Sequence, residues 1–254
     1  MQKERPLILI SNDDGYMAKG VNDLAEMASR FGDVIVVAPD KGRSGSAMAI
    51  TSSEPVKVDL IRKDDHIAVY RCTGTPVDCV KLAFEAIVPR KPALILSGIN
   101  HGDNSAVNVH YSGTMGIALE GAMKGIPSIG FSSCYTQHDA SFENLRPYVE
   151  KFIRFALDGH IPDGTCLNIN APACQELKGM RLCRMGKGEW CNEWERRNHP
   201  RGWTYYWLTG SFRSADGDDE TTDKWAVSNG FVAVTPIRLD MTDYDFGLSD
   251  IDKY

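Results

Sequence analysis

Positive charge is scarce in this sequence: 28 lysines and arginines stand against 34 aspartates and glutamates, a net charge of −6 at pH 7. That deficit argues against general binding of nucleic-acid duplexes or anionic membranes, which depends on clustered cations. A small anionic substrate stays open, because a bound divalent metal inverts the local field. Long hydrophobic runs are missing too. No stretch reaches the eighteen or so apolar residues of a membrane span, and the run at residues 7–10 is too short for a signal-peptide core. The seven cysteines are odd in number and form no CxxC pair, so zinc ligation and a disulfide framework lack support. Reduced thiols in a cytoplasmic protein are the expectation. There are no internal repeats and no low-complexity tract, and 254 residues suffice for one large α/β domain or two small ones.

What is present alternates. Residues 7–10 (LILI), 34–39 (VIVVAP), 93–97 (ALILS), 127–132 (PSIGFS) and 165–172 (TCLNINAP) are short apolar runs of the kind buried on both faces of a parallel sheet. Helical spacing separates them. Val21, Leu24, Ala25, Ala28 and Phe31 share one face, with Gly32 as the expected C-cap. Thr75 and Pro76 read as N-cap and first residue of a second helix. Met115, Ala118, Leu119 and Ala122 mark a third helix ending at Gly125, and Phe142, Leu145, Val149, Phe152 and Ala156 a fourth. This order predicts a Rossmann-like, doubly wound, mostly parallel sheet with helices on both faces. Residues 56–60 and 67–72 flank a polar RKDDH and predict a hairpin. After about residue 175 the texture changes to a Trp-, Arg-, Gly- and Asp-rich stretch without helical period. The expectation is a catalytic core over 1–175, with a β-rich extension over 176–254 that continues the same domain and serves as an oligomerisation arm.

In such a sheet ligands bind beyond the carboxyl ends of the strands, so the loops there matter most. The first delivers Asn12, Asp13, Asp14 and Gly15; the second KGRSGS (41–46); the third SGINHGDNSAVNVHYSGT (97–114). Asx residues before Gly are favoured turn formers, and a turn alone would explain the triplet. Here, however, the triplet opens a βα loop and two further oxygen-rich loops converge on its edge. Adjacent carboxylates with Ser and Asn oxygens suit a hard cation such as Mg²⁺ or Mn²⁺. Ser112 is placed to cap a helix starting at Gly113, whose open first-turn N–H groups suit an anion. An ordinary capped helix packed tightly through Gly113 and Gly116 fits the same residues.

Other features rank lower. KGRSGS matches neither GxxxxGK[ST] nor GxGxxG. His101, His110, His138 and His199 are scattered, with His110 beside the anion site the most interesting. SADGDDETTD (214–223) lacks the glycine and glutamate of a calcium loop and reads as solvated. Arg196, Arg197 and Arg201 among aromatics suit either a nucleotide or a subunit contact.

Taken together, ILISNDDG (8–15), VVAPDKGRSGSAMAIT (36–51), TGTPVDCV (73–80), the long block 94–132, LNINAP (167–172) and GFVAVTPIRLDMT (230–242) resemble, in order and spacing, the stationary-phase survival protein SurE family of metal-dependent 5′-nucleotidases. The resemblance implies one divalent cation per subunit, Mg²⁺ or Mn²⁺, held by Asp13, Asp14, Ser44 and Asn100. It implies phosphate contacts from Asn12, Asn104 and Ser112–Gly113–Thr114, with Asp13 and Asp14 as catalytic residues. It further implies hydrolysis of nucleoside 5′- and 3′-monophosphates, short polyphosphate as an additional substrate in some members, and a homodimer or homotetramer. A non-enzymatic nucleotide sensor using the same pocket is the alternative. Two departures stand out: Asn108 where many members carry aspartate, and Ala47–Met48 where a small polar residue or histidine is common.

Overall fold

Strand β1 (Leu7–Ser11) is buried along its whole length, as a central strand must be. The computed structural model describes residues 4–137 and 139–246. After β1 come α1 (Lys19–Ser29), β2 (Asp33–Pro39), the hairpin β3 (Val58–Lys63) and β4 (Ile67–Cys72), and α2 (Pro76–Leu82). Then follow β5 (Leu94–His101), a 3₁₀ turn (Ala106–His110), α3 (Gly113–Met123), β6 (Ser128–Ser133), α4 (Arg146–Leu157) and β7 (Thr165–Ala171). The remainder is β8 (Met180–Leu182), β9 (Gly188–Cys191), β10 (Trp194–Asn198), β11 (Thr204–Leu208), β12 (Ser211–Ser214), α5 (Asp223–Ser228) and β13 (Val232–Arg238).

Nine of these strands form one sheet in the order β3-β4-β2-β1-β5-β6-β7-β13-β8. The run from β4 to β7 is parallel throughout. β3 and β13 pair antiparallel with β4 and β7, and β8 is parallel to β13. The chain winds from β1 outward through β2 to β4, then returns to β5 and winds the other way. The strand order therefore reverses between β1 and β5, where a doubly wound sheet opens its binding crevice.

Side-chain alternation divides β1 between two cores. Ile8 and Ile10 pack with Leu24 and Met27 of α1 and Phe152 and Ile153 of α4. Leu7 and Leu9 pack with Cys79 and Val80 of α2 and Ile117 of α3. Helices thus cover both faces, as the strand–helix alternation predicts.

The predicted N-cap on α2 is a full capping box: Thr75 accepts from the Asp78 amide at 3.1 Å, and Asp78 accepts from the Thr75 amide at 2.9 Å. Two expectations change. Gly32 is not the left-handed cap of α1, which closes through Arg30; a side chain at Gly32 would come within 2.3 Å of the Pro6 carbonyl. Beyond residues 165–172, β13 and β8 add to the main sheet. The region beyond residue 181 also carries a short helix, α5, capped by Thr222. β9–β12 and β10–β11 are two small antiparallel ribbons outside the main sheet.

Candidate functional site

The first loop is a braced turn. Asn12 accepts from the Gly15 amide at 3.2 Å and donates to the Gly15 carbonyl at 3.0 Å, so its side chain shapes the turn that presents the next two residues. Gly15 has φ +103°, a conformation open mainly to glycine. The Asp13 carbonyl accepts from the Arg43 amide at 2.7 Å, which ties the KGRSGS loop to the first loop.

Asp13 itself is buried, 4% exposed. Its Oδ1 accepts from the Thr114 hydroxyl at 2.6 Å, at the first turn of α3. Burial pushes its carboxyl up to about 6, the neighbouring Asp14 charge adds to the rise, and the Thr114 hydroxyl and Gly113 amide oppose it. Among the described residues, no lysine or arginine pairs with Asp13 or Asp14. Asp14 is partly buried and accepts at 3.3 Å from both the backbone amide and the Nδ1 of His101, at the end of β5. The His101 ring packs edge-on to Phe142 at 5.2 Å, which fixes its orientation.

β5 reaches the same edge through an irregularity. Its register against β6 shifts between Ser97 and Asn100, around Gly98 at φ +107°. A Cβ at Gly98 would lie 2.2 Å from the Phe131 carbonyl, so the strands approach closely only because this residue is glycine. Asn100 lies two residues further on, its side-chain amide donating to the Gly102 carbonyl at 2.9 Å. Asn104 is buried in a polar network: its side-chain amide donates to Ser132 Oγ at 2.8 Å, its backbone amide to Asn170 Oδ1 at 2.8 Å, and its carbonyl accepts from Asn168 at 2.8 Å. The LNINAP motif therefore acts through its two asparagines, which hold the loop bearing Asn104. Ser112 caps α3 by accepting from the Met115 amide at 3.1 Å. Gly113 leaves no room for a side chain: a Cβ there would sit 2.7 Å from Asp13 Cβ and 2.8 Å from Ser46 Oγ.

A cleft of about 520 Å³ collects part of this set, while Asn12, Asp14, Gly113 and Thr114 stand behind its wall. Asp13, Ser44, Asn100, Asn104 and Ser112 line it, together with Tyr111, Trp190, Glu193 and Leu208. A second cavity of about 560 Å³, between α4 and the β7–β13–β8 edge, is walled by groups such as Phe152, Phe155 and Leu182 and has no convergent polar set. Of the scattered histidines, His101 belongs to the site. His110 is exposed and faces a separate cavity with Met48 and Ile237. His199 stacks on Trp203 at 3.7 Å beside the outer ribbon. His138 lies outside the described residues.

The loop at 214–223 is not simply solvated. Arg184 reaches both Asp216 and Asp219 at 2.6 Å, and fully buried Asp223 accepts from the amides of Ala106 (2.9 Å), Gly186 (2.9 Å) and Lys224 (2.8 Å). That carboxylate joins the loop carrying Asn104 to the C-terminal extension. Asp223 and Trp190 are residues that sequence reasoning missed. Neither sits in a motif that the strand-end argument singles out; only Asn108, flagged as a departure, hints at Trp190, whose indole N–H it accepts at 2.8 Å.

Fold and site define a doubly wound α/β protein with a carboxylate pair and an α3 N-terminus at its switch point. The model of the family Survival protein SurE matches residues 8–192. The chain is 52% identical to 5′-nucleotidase SurE of Phocaeicola vulgatus over 96% of its length and 95% of that protein. It is 50% identical to 5′-nucleotidase SurE of Bacteroides thetaiotaomicron, over 97% and 95%. The crystal structure of the SurE protein from Aquifex aeolicus superposes with a TM-score of 0.82 at 37% identity, covering 98% of this chain and 99% of that one. The chain belongs to the SurE family.

Proposed function

We propose that this protein is a metal-dependent 5′-nucleotidase, a phosphoric monoester hydrolase that converts nucleoside 5′-monophosphates to nucleoside and phosphate. Nucleoside 3′-monophosphates and short polyphosphate are secondary substrates. The carrying observation is the buried Asp13 carboxylate beside Asp14, with no lysine or arginine to neutralise either among the described residues.

The donor set fits a hard divalent cation. Asp13, Asp14, Ser44 and Asn100 offer carboxylate, hydroxyl and amide oxygens, the donors such an ion prefers. Those four residues would hold one Mg²⁺ or Mn²⁺ per subunit. When bound, the ion supplies Lewis-acid polarisation of a phosphoryl oxygen and lowers the pKa of a water. Asp13 and Asp14, the latter oriented by His101, align the attacking water, and one of the two takes up its proton. Asn100, Asn104 and the Thr114 amide in the first turn of α3 stabilise charge on the equatorial phosphoryl oxygens, while the Gly113 amide stays on Asp13. Asn12 contributes by holding the turn.

We read residues 1–175 as the catalytic core and 176–254 as an extension of the same domain, because β8 and β13 complete the main sheet. A homodimer or homotetramer is supported by the outer ribbon, where Trp194, Trp207 and Leu208 are each more than 60% exposed. A cytoplasmic setting is supported by the seven cysteines, all free thiols. No described helix is long and apolar enough to cross a membrane. Phosphate release from nucleoside 5′- and 3′-monophosphates and from tripolyphosphate, measured after chelation and after adding back Mg²⁺ or Mn²⁺, tests the function. Metal-restored release, greatest for 5′-monophosphates, is expected; tight nucleotide binding without release under either metal would contradict it.

A further inference from the structure

The catalytic oxygens occupy only part of the cleft. A volume of about 520 Å³ falls in the range that holds drug-sized organic ligands, far beyond a phosphate group. Further along its wall stand Tyr111, Trp190, Glu193 and Leu208. Three of these belong to the C-terminal extension, in and around β9 and β11.

Trp190 is held firmly. Its indole N–H donates to Asn108 Oδ1 at 2.8 Å, which leaves no buried donor unmet. It pairs across the ribbon with Phe212, edge-on at 6.1 Å. Phe212 is confined in turn, since a Cβ at Gly188 would come within 2.4 Å of its ring, and the Lys224 ammonium sits 5.3 Å from its centroid. The indole is half-buried and lines the cleft that Asp13 and Asn104 line. A rigid aromatic wall with its polar edge already satisfied offers its surface to another flat ring.

The geometry points to Trp190 as a specificity-determining residue: its indole is the platform on which the nucleobase of a nucleoside monophosphate stacks, positioned by Asn108. This rests on the nucleotidase reading and adds to it what selects the substrate. The base-specific part of the site is then supplied by the extension, while the core supplies the chemistry. Asn108, which accepts the indole N–H and donates to the Asp103 carbonyl at 3.3 Å, links the two parts. Glu193 on the same cleft adds negative charge that opposes a polyanion more than a substrate with a neutral nucleoside. The site is thus built for nucleotides ahead of polyphosphate.

The test compares kcat/KM for adenosine 5′-monophosphate with kcat/KM for ribose 5-phosphate, which carries the same phosphate and sugar without a base. Base–aromatic stacking predicts that Trp190→Ala lowers the nucleotide-to-ribose-phosphate ratio roughly tenfold, chiefly through KM for the nucleotide. Trp190→Phe, which keeps an aromatic face, holds the ratio within about threefold of the parent and guards against misfolding of the alanine variant. An unchanged ratio in Trp190→Ala, or equal losses in the Phe and Ala variants, overturns the platform while leaving the nucleotidase reading intact. Absence of phosphate release from either substrate by the unsubstituted protein would overturn the nucleotidase reading, and the platform with it.

Discussion

The Thr114 hydroxyl donates to Asp13 Oδ1 at 2.6 Å, joining the first turn of α3 to the loop after β1. The bond sets the direction of a buried carboxylate and brings the positive end of a helix against it. It compensates Asp13 only partly, because burial and the Asp14 charge still leave that group raised to about 6. The site therefore holds an electrostatic debt that a cation relieves.

Removing that charge stabilises the metal-free protein. A rise from 3.8 to about 6 corresponds to roughly 3 kcal/mol of folding free energy withheld at neutral pH. Asp13→Asn keeps an oxygen for Thr114 and removes the charge. Calorimetry in a chelator at pH 7.5 is expected to show a melting temperature higher by several degrees. An unchanged or lower value contradicts the strain.

The same shift fixes a pH dependence. A carboxyl whose folded value lies above its unfolded one makes the fold bind the proton more tightly, so metal-free stability falls as pH rises from about 4 to about 6. A metal must displace that proton, and affinity declines below about pH 6. Titration calorimetry with Mn²⁺ is expected to show roughly tenfold weaker binding at pH 5 than at pH 7.

Gly113 is predicted to tolerate no side chain. An added Cβ would meet Asp13 Cβ at 2.7 Å and Asp13 Oδ2 at 3.0 Å. Gly113→Ala should lower kcat at least a hundredfold and weaken Mn²⁺ binding, with far-ultraviolet circular dichroism unchanged. Parent-like kinetics would mean the α3 terminus does not set the carboxylate.

Asp223 carries a structural load outside the chemistry. Alanine there leaves the amides of Ala106, Gly186 and Lys224 without their acceptor in a fully buried setting. A loss of about 2–4 kcal/mol is expected in urea unfolding. KM should rise as well, because the same carboxylate holds the Asn104 loop to the extension.

Much of this was legible in the sequence because it rests on local patterns. Apolar runs and helical spacing locate β1, β2, β5, β6 and β7 and the helices between them, and topology alone sends Asp13, Asp14 and Asn100 to one edge. What stayed hidden depends on contacts between distant segments. The seat of Trp190 against Asn108, the three amides gathered by Asp223, and the clamp of Arg184 on Asp216 and Asp219 have no periodic signature. Gly32 misled for a related reason: near a helix end glycine suggests a cap, whereas here it answers a steric demand from Pro6.

The most direct measurement is phosphate release from adenosine 5′-monophosphate by Asp13→Asn and Asp14→Asn beside the parent, in Mg²⁺ and in Mn²⁺, with folding of each variant verified. If the carboxylate pair holds the cation and aligns the water, both variants lose at least a thousandfold in kcat/KM under either metal while melting no lower than the parent does in chelator. Release at parent rates from either folded variant would contradict the account.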